Sequence, residues 1–279
     1  MKILITGCAG FIGYHLAKEL IESGQFHVIG IDSIDDYYDQ NLKLDRLKSL
    51  EQLKNKNNFS FYKGNLADKK FVVDLFKKHT FNKTVNLAAQ AGVRHSIENP
   101  HKYIESNIVG FTNLIEAIRY QGTEHFVYAS TSSVYGASNQ MPFSEDDPIS
   151  HPLQFYAVTK RSNELMAHSY ANLFSIPSSG MRFFTVYGPW GRPDMALFLF
   201  TKNIIEGKKI NIFNQGKHYR DFTYVDDIIS GIKIILDNPP TSNQGWDYLN
   251  GGPGSSYSPY EIYNIGNGDE ISLLDFVKE

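Results

Sequence analysis

Apolar positions fall into two textures along the first 185 residues. Runs that are apolar almost throughout, at 2–6, 27–31, 59–63, 84–88, 125–130 and 179–184, predict strands. Between them apolar residues recur every three or four positions, predicting helices near 11–23, 41–54, 69–79, 100–121 and 153–174. Strands with no polar alternate offer no face to water, so they belong in a parallel sheet covered by helices on both sides. The expected class is therefore α/β, a doubly wound sheet whose ligand lies beyond the carboxyl ends of its strands.

After Thr185 the pattern loosens. Tyr187 to Pro193 is an aromatic, turn-rich loop. A helix is predicted at about 195–206, short strands near 210–213 and 219–224, a helix at about 227–236, and a loop over 239–258. A strand around Ile262 and a helix beginning at Ser272 close the sequence, and that helix stops early enough that the chain reads as cut short. Two domains are expected: 1–184 for the cofactor, and 185–279 mainly for substrate, the latter incomplete at its C-terminus. Segments near 219–238 and 260–266 are expected to return to the first domain.

Composition narrows the function. The 279 residues are 42% hydrophobic and 20% charged, with a formal net charge of −3, which suits a soluble enzyme with a full core. That balance gives no basic surface for nucleic acid or an anionic membrane. No run approaches the roughly 18 apolar residues of a membrane span. The opening apolar run is also too short for a signal peptide, so a cytoplasmic location is expected. The single cysteine, Cys8, excludes an internal disulfide and reads as a small space-filling residue. The nine histidines show no ligand spacing, and Asp226 and Asp227 precede an apolar helix that they are expected to cap, so no metal is predicted.

The first strand breaks into Gly7, Gly10 and Gly13, and a helical pattern starts at Phe11. Glycines there let backbone N–H groups approach a pyrophosphate at a helix N-terminus. The next strand ends in Asp32, whose carboxylate can accept from both hydroxyls of an adenosine ribose and would repel a 2′-phosphate. Strand, glycines, helix, strand and terminal acid in register predict a Rossmann-type unit that binds NAD rather than NADP.

Tyr156 and Lys160 are four apart, which places both side chains on one helix face a turn apart. An ammonium beside a phenol favours the phenolate, lowering its pKa so that it can take a proton from a sugar hydroxyl. The spacing also arises by chance, as Tyr14 and Lys18 show, but that pair follows the wrong strand and reads as structural. The strand before Tyr156 ends in Ser130 and Thr131, and the Thr131 hydroxyl could bind the same substrate oxygen.

These residues resemble the extended short-chain dehydrogenase/reductase family of nucleotide-sugar epimerases and dehydratases. The similarity runs through nearly the whole chain and is most specific between 81 and 236. The stretches Asn86 to Arg94, Arg182 to Met195 and Arg220 to Asp227 look most like the members that act on UDP-glucuronate. The resemblance implies that Thr131, Tyr156 and Lys160 are catalytic, with Tyr156 and Lys160 also touching the cofactor. It further implies that Gly7, Gly10, Phe11, Ile12, Gly13, Asp32, Asn65, Leu66, Leu87, Ala88, Ala89, Asn107 and Ser130 bind NAD. Asn65 stands where the family usually has an aspartate, and its carbonyl can still accept from the adenine amino group.

The implied reaction is 4-epimerisation of a UDP-sugar, UDP-glucuronate to UDP-galacturonate, through a transient 4-keto sugar. Arg192 is the expected carboxylate ligand, since a guanidinium fork matches a carboxylate in two parallel hydrogen bonds. Thr185 is its expected companion, and the competing reading of Arg192 is an exposed loop arginine. Arg220 fits a diphosphate contact or a salt bridge to Asp221, and Arg94 is a further substrate candidate. A dehydratase or decarboxylase would carry an acid just after Thr131, where this chain has Ser132 and Ser133. A 4-epimerase of UDP-glucose or UDP-N-acetylglucosamine is the nearer rival. An NAD-binding scaffold without turnover is the rival of another class. The resemblance also implies a homodimer formed through the helices at 100–121 and 153–174, and a role in polysaccharide synthesis.

Overall fold

The computed structural model describes residues 1–216, 219–249 and 251–278. Seven strands, β1 (Lys2–Thr6), β2 (His27–Asp32), β3 (Phe59–Lys63), β4 (Lys83–Asn86), β5 (His125–Thr131), β6 (Ser178–Phe183) and the later Tyr260–Ile265, form one sheet. Between Phe183 and Tyr260 come β7 (Thr185–Tyr187) and β8 (Tyr219–Tyr224), so Tyr260–Ile265 is β9, and Glu270–Ser272 is β10. The large sheet has the order β3-β2-β1-β4-β5-β6-β9, with every neighbouring pair parallel. Chain order reverses direction between β1 and β4, which opens a crevice at their carboxyl ends.

The helices are α1 (Phe11–Ser23), α2 (Gln40–Glu51), α3 (Lys69–Lys78), α4 (His95–Glu98), α5 (Pro100–Tyr103), α6 (Gly110–Gln121), α7 (Phe155–Phe174), α8 (Ala196–Ile205), α9 (Val225–Asp237) and α10 (Leu273–Lys278). Their ends follow local chemistry. The Asp39 carboxylate accepts from Asn41 N at 2.9 Å to start α2, and Asp68 accepts from Phe71 N at 3.1 Å to start α3. Gly24, at φ +69, closes α1 in the left-handed region.

Alternation along each strand sorts the core into two layers. Ile3, Ile5, Val28, Val85, Val127 and Met181 face α1 and α9 through Leu16, Leu20, Ile228 and Ile232. Leu4, Ile29, Ile31, Phe126 and Tyr128 face the other side, toward Leu75, Leu114, Ile118 and Ala167. Helix α9 thus packs on the first layer, and β9 completes the large sheet beside β6.

Where the structure differs from the sequence reading, the differences are short-range. The strand expected at 210–213 is absent, and Phe213–Gly216 is a single 3₁₀ turn. β7 and β10 have three residues each, too few for a period to show, and join β8 in a small sheet. The helix expected over 100–121 carries a π-helical stretch, Ile104–Val109, between α5 and α6. Asp226 and Asp227 lie in the first turn of α9, while Tyr224 takes the capping position, so they act on the helix dipole rather than as caps.

His125 opens β5 fully buried, with its Nδ1–H donating to Leu236 O at 3.4 Å and Ser179 Oγ donating to Nε2 at 2.9 Å. Burial pushes its pKa down to about 4 from the usual 6.5, although the Leu236 carbonyl opposes the shift. The unfolded chain therefore binds more protons between those two values. The contribution is intact above pH 6.5 and is lost as pH falls through about 4, a change of at most about 3 kcal/mol. Denaturant unfolding from pH 7 to pH 4.5 should show this acid limb, and His125→Asn should flatten it while lowering stability at pH 7.

Candidate active site

The crevice between β1 and β4 is walled by the glycine turn. Gly7 sits at φ +71, and a Cβ there would fall 2.8 Å from Ala88 N. Gly13 faces inward, where a Cβ would lie 2.1 Å from Gly7 O, so it seals the turn rather than lining the cleft. Gly7, Gly10, Phe11, Ile12, Asp32, Asn65, Leu66, Leu87, Ala88 and Ala89 line one continuous cleft with Ser130, Thr131, Tyr156, Lys160 and Arg192. Asp32 accepts from Ala9 N at 3.1 Å and from Ile34 N at 2.9 Å, leaving each oxygen a further lone pair. Burial raises its pKa, against the Ile34 hydrogen bond and the charge of Lys43.

One expected cofactor residue is engaged elsewhere. Asn107, in the π-helical stretch, accepts from Gln90 N at 2.8 Å and donates to Gln90 O and Thr159 Oγ1 at 3.1 and 3.0 Å. It fastens the loop after β4 to α7 and does not line the cleft. Asn65 lines the cleft, and its Oδ1 accepts from Ala67 N at 3.0 Å while keeping a second lone pair.

Tyr156 stands in the first turn of α7, its backbone N–H donating to Ser96 Oγ at 3.1 Å and its ring edge-on to Tyr103 at 6.1 Å. Thr131 lines the same cleft, its hydroxyl donating to Ser133 Oγ at 3.2 Å and its Oγ1 accepting from Ser133 N at 3.2 Å. Lys160 lies one turn on and is 2% exposed. The expected lowering of the phenol pKa by Lys160 is not found. Burial raises Tyr156, and the influences opposing it are the Arg192 charge and the neighbouring Thr131 hydroxyl. Burial also weakens the lysine, down to about 8, with Glu164 opposing. By contrast Tyr14, of the decoy pair, is buried and shares a 3.0 Å hydrogen bond with Ser49 Oγ.

Beneath the cleft runs a buried ionic network. Glu164, fully buried, accepts from Ser130 Oγ at 2.5 Å, Arg182 Nε at 3.0 Å, Arg182 Nη2 at 3.2 Å and Arg161 Nη1 at 2.9 Å. Arg182 Nη1 donates to Tyr135 OH at 2.9 Å, and Tyr135 donates to Asn264 Oδ1 at 2.6 Å. Ser130 therefore spends its hydroxyl on Glu164. The network joins α7 to β5, β6 and β9.

Arg192 forms a side-on fork with Asp194, its Nε donating to Oδ1 at 3.0 Å and its Nη2 closing on Oδ2. Tyr37 OH adds a hydrogen bond to Oδ2 at 3.2 Å. The loop carrying Arg192 is held by Arg46, which is fully buried in α2. Arg46 donates to Ala9 O and Tyr38 OH at 2.8 Å each, and to Trp190 O at 2.5 Å. His15 Nε2–H donates to Pro189 O at 2.9 Å. The remaining substrate candidates stand apart from the cleft wall. Thr185 pairs with Phe222 in the small sheet, and Arg94 is exposed just before α4. Arg220 is exposed and donates to Tyr219 O at 2.8 Å. Asp221 accepts instead from Thr223 Oγ1, Asn267 N and Gly268 N.

Arg46, Glu164, Tyr37 and Asp194 were not singled out from sequence. Only Asp194, two residues from Arg192, carried a local signal. The residues present fit a dinucleotide: the glycine turn leaves no room for a Cβ at Gly7. Among the described residues no hydrogen bond or ion pair engages the buried Lys160 ammonium. Also among the described residues, no cluster of His, Cys, Asp or Glu could hold a metal.

The profile of the NAD dependent epimerase/dehydratase family matches residues 3–266. The chain belongs to that family. It is 55% identical over 278 residues to Protein CapI of Staphylococcus aureus, covering 100% of this chain and 82% of that one. It is 43% identical over 284 residues to a probable UDP-glucuronate 4-epimerase of Rhizobium meliloti, covering 100% and 81%. Among solved structures it resembles the UDP-glucuronic acid 4-epimerase of Bacillus cereus, in complex with UDP-glucuronic acid and NAD. That match has a TM-score of 0.85 and 35% identity, covering 100% of this chain and 81% of the other. The chain is thus an NAD-dependent epimerase with a Rossmann-type fold.

The buried pair makes a direct stability prediction. Glu164→Gln leaves the Arg182 guanidinium short of its counter-charge in the core, and should cost roughly 3–5 kcal/mol in denaturant unfolding.

Proposed function

We propose that this chain interconverts UDP-glucuronate and UDP-galacturonate through a 4-keto sugar held in the cleft. The observation carrying this reading is that Arg192 lies in the same cleft as Tyr156, close enough for its charge to act on the phenol. Relatives named for the same reaction support it.

Bound NAD supplies a hydride acceptor that returns the hydride to the opposite face of C4. The chain's own residues do the rest. Tyr156 takes the proton from O4 as the carbonyl forms and gives it back as the carbonyl is reduced, with the Thr131 hydroxyl sharing that oxygen. Lys160 donates to the nicotinamide ribose, which gives its buried ammonium a partner. Gly7, Gly10, Phe11 and Ile12 cradle the pyrophosphate, Asp32 accepts from the adenosine ribose, and Leu66, Leu87, Ala88 and Ala89 form the apolar walls.

A 4-keto uronate is a β-keto acid and loses carbon dioxide readily. An ion pair to Arg192 stabilises the carboxylate relative to the charge-dispersed state that releases carbon dioxide, so the intermediate survives while the ring turns over. Ser132 and Ser133 supply no acid for elimination, in keeping with epimerisation.

The proposal includes the division 1–184 and 185–279 and a cytoplasmic location serving polysaccharide synthesis. It also includes a homodimer built on the helices at 100–121 and 153–174. Exposed apolar side chains on those helices, Ile104, Val109, Val158 and Leu165, support the dimer.

Purified protein given UDP-glucuronate should yield UDP-galacturonate, resolved by chromatography of the released sugars. UDP-xylose or a free 4-keto sugar would reassign the reaction, and no conversion with NAD bound would make the chain a scaffold. Tyr156→Phe should lower kcat by roughly 10²–10⁴-fold. Arg192→Ala should raise KM for the uronate more than for UDP-glucose, and an equal change on both would remove its proposed role.

A further inference from the structure

We propose that Asp194 sets the substrate range of the cleft by acting as a built-in carboxylate that a uronate must displace from Arg192. The inference rests on the reading of Arg192 as the uronate ligand. Asp194 holds Nε and Nη2, the side-on edge of the guanidinium, with one oxygen on each nitrogen. Side-on pairing is one of the two forked geometries in which a guanidinium receives a carboxylate, so on this edge the protein's own acid and a sugar acid compete for the same two donors.

Three features make the competition close. Asp194 is two residues from Arg192 in a turn closed by Met195 N donating to Arg192 O at 3.2 Å, so chain connectivity keeps its carboxylate at high effective concentration. The Tyr37 hydroxyl strengthens that hold on Oδ2, and the Tyr37 ring lies under the guanidinium at 5.8 Å. Yet the Asp194 side chain is 28% exposed, so it can release the arginine into water without being buried as a bare charge.

This pairing also bears on uncharged sugars. Without Asp194, the C6 hydroxymethyl group of UDP-glucose would leave the Arg192 cation desolvated and without a partner. With Asp194 on the fork, that cation keeps its partner whichever sugar is bound. Asp194 therefore lowers affinity for uronates and relaxes the penalty on neutral hexoses. The residue acts on specificity through Arg192 and touches no reacting atom.

The test compares binding of UDP-glucuronate and UDP-glucose to the NAD-loaded protein by calorimetry, in a Tyr156→Phe background that prevents turnover. Asp194→Asn should tighten UDP-glucuronate about tenfold and leave UDP-glucose unchanged or weaker. Tyr37→Phe, which removes one hydrogen bond from the competitor, should shift selectivity the same way by about two- to threefold. Weaker UDP-glucuronate binding in Asp194→Asn would overturn the proposal, since Asp194 would then merely aim Arg192. An equal shift for both sugars would also overturn it. Conversion of UDP-glucuronate by the unmodified protein, measured separately, decides the reaction itself, so the two failures are distinguishable.

Discussion

The Glu164–Arg182 ion pair fixes the active-site helix in the fold. Two charges with no exposure to water are tolerable only because their hydrogen-bonding atoms are met by Ser130, Arg161, Tyr135 and each other. Glu164 lies one helical turn beyond Lys160, and Ser130 immediately precedes Thr131. The pair therefore sets the register between α7 and β5. The distance between the Tyr156 and Thr131 hydroxyls follows from that register, as does the burial of Lys160.

Burial also decides the proton chemistry. In water a lysine one turn from a tyrosine would pull the phenol pKa down. In this cleft desolvation penalises the phenolate and the ammonium alike, raising one and lowering the other. What helps the phenolate is the guanidinium across the cleft, which is also the carboxylate ligand in our reading. Substrate recognition and proton transfer share one charge.

Much of this was readable from local sequence. The glycines, Asp32 and the Tyr156–Lys160 pair have short-range spacings that follow from a turn, a strand end and a helical repeat. The strands of the large sheet were visible because both faces are apolar. The features not legible depend on residues distant in sequence. Arg46 is an ordinary basic residue in α2 until the 189–191 loop folds over it, and Glu164 resembles a solvent-facing helix acid until Arg182 arrives from β6. Asn107 was assigned to the cofactor from resemblance, yet packing turns its side chain toward Gln90 and Thr159, while Ser130 lines the cleft with its hydroxyl donating to Glu164. Thr185 opens β7 in the small sheet, a strand too brief for its period to show in the sequence.

Arg46 grips the loop ahead of Arg192 by its carbonyl oxygens, at Trp190 and, more loosely, Gly191. Carbonyls are common to every amino acid, so the hold is indifferent to which side chains the loop carries. Positions 192, 194 and 195 can accordingly be exchanged while their Cα atoms stay in place. The loop is a fixed mount with replaceable fittings, a design in which new sugar preferences need point changes rather than a rebuilt backbone.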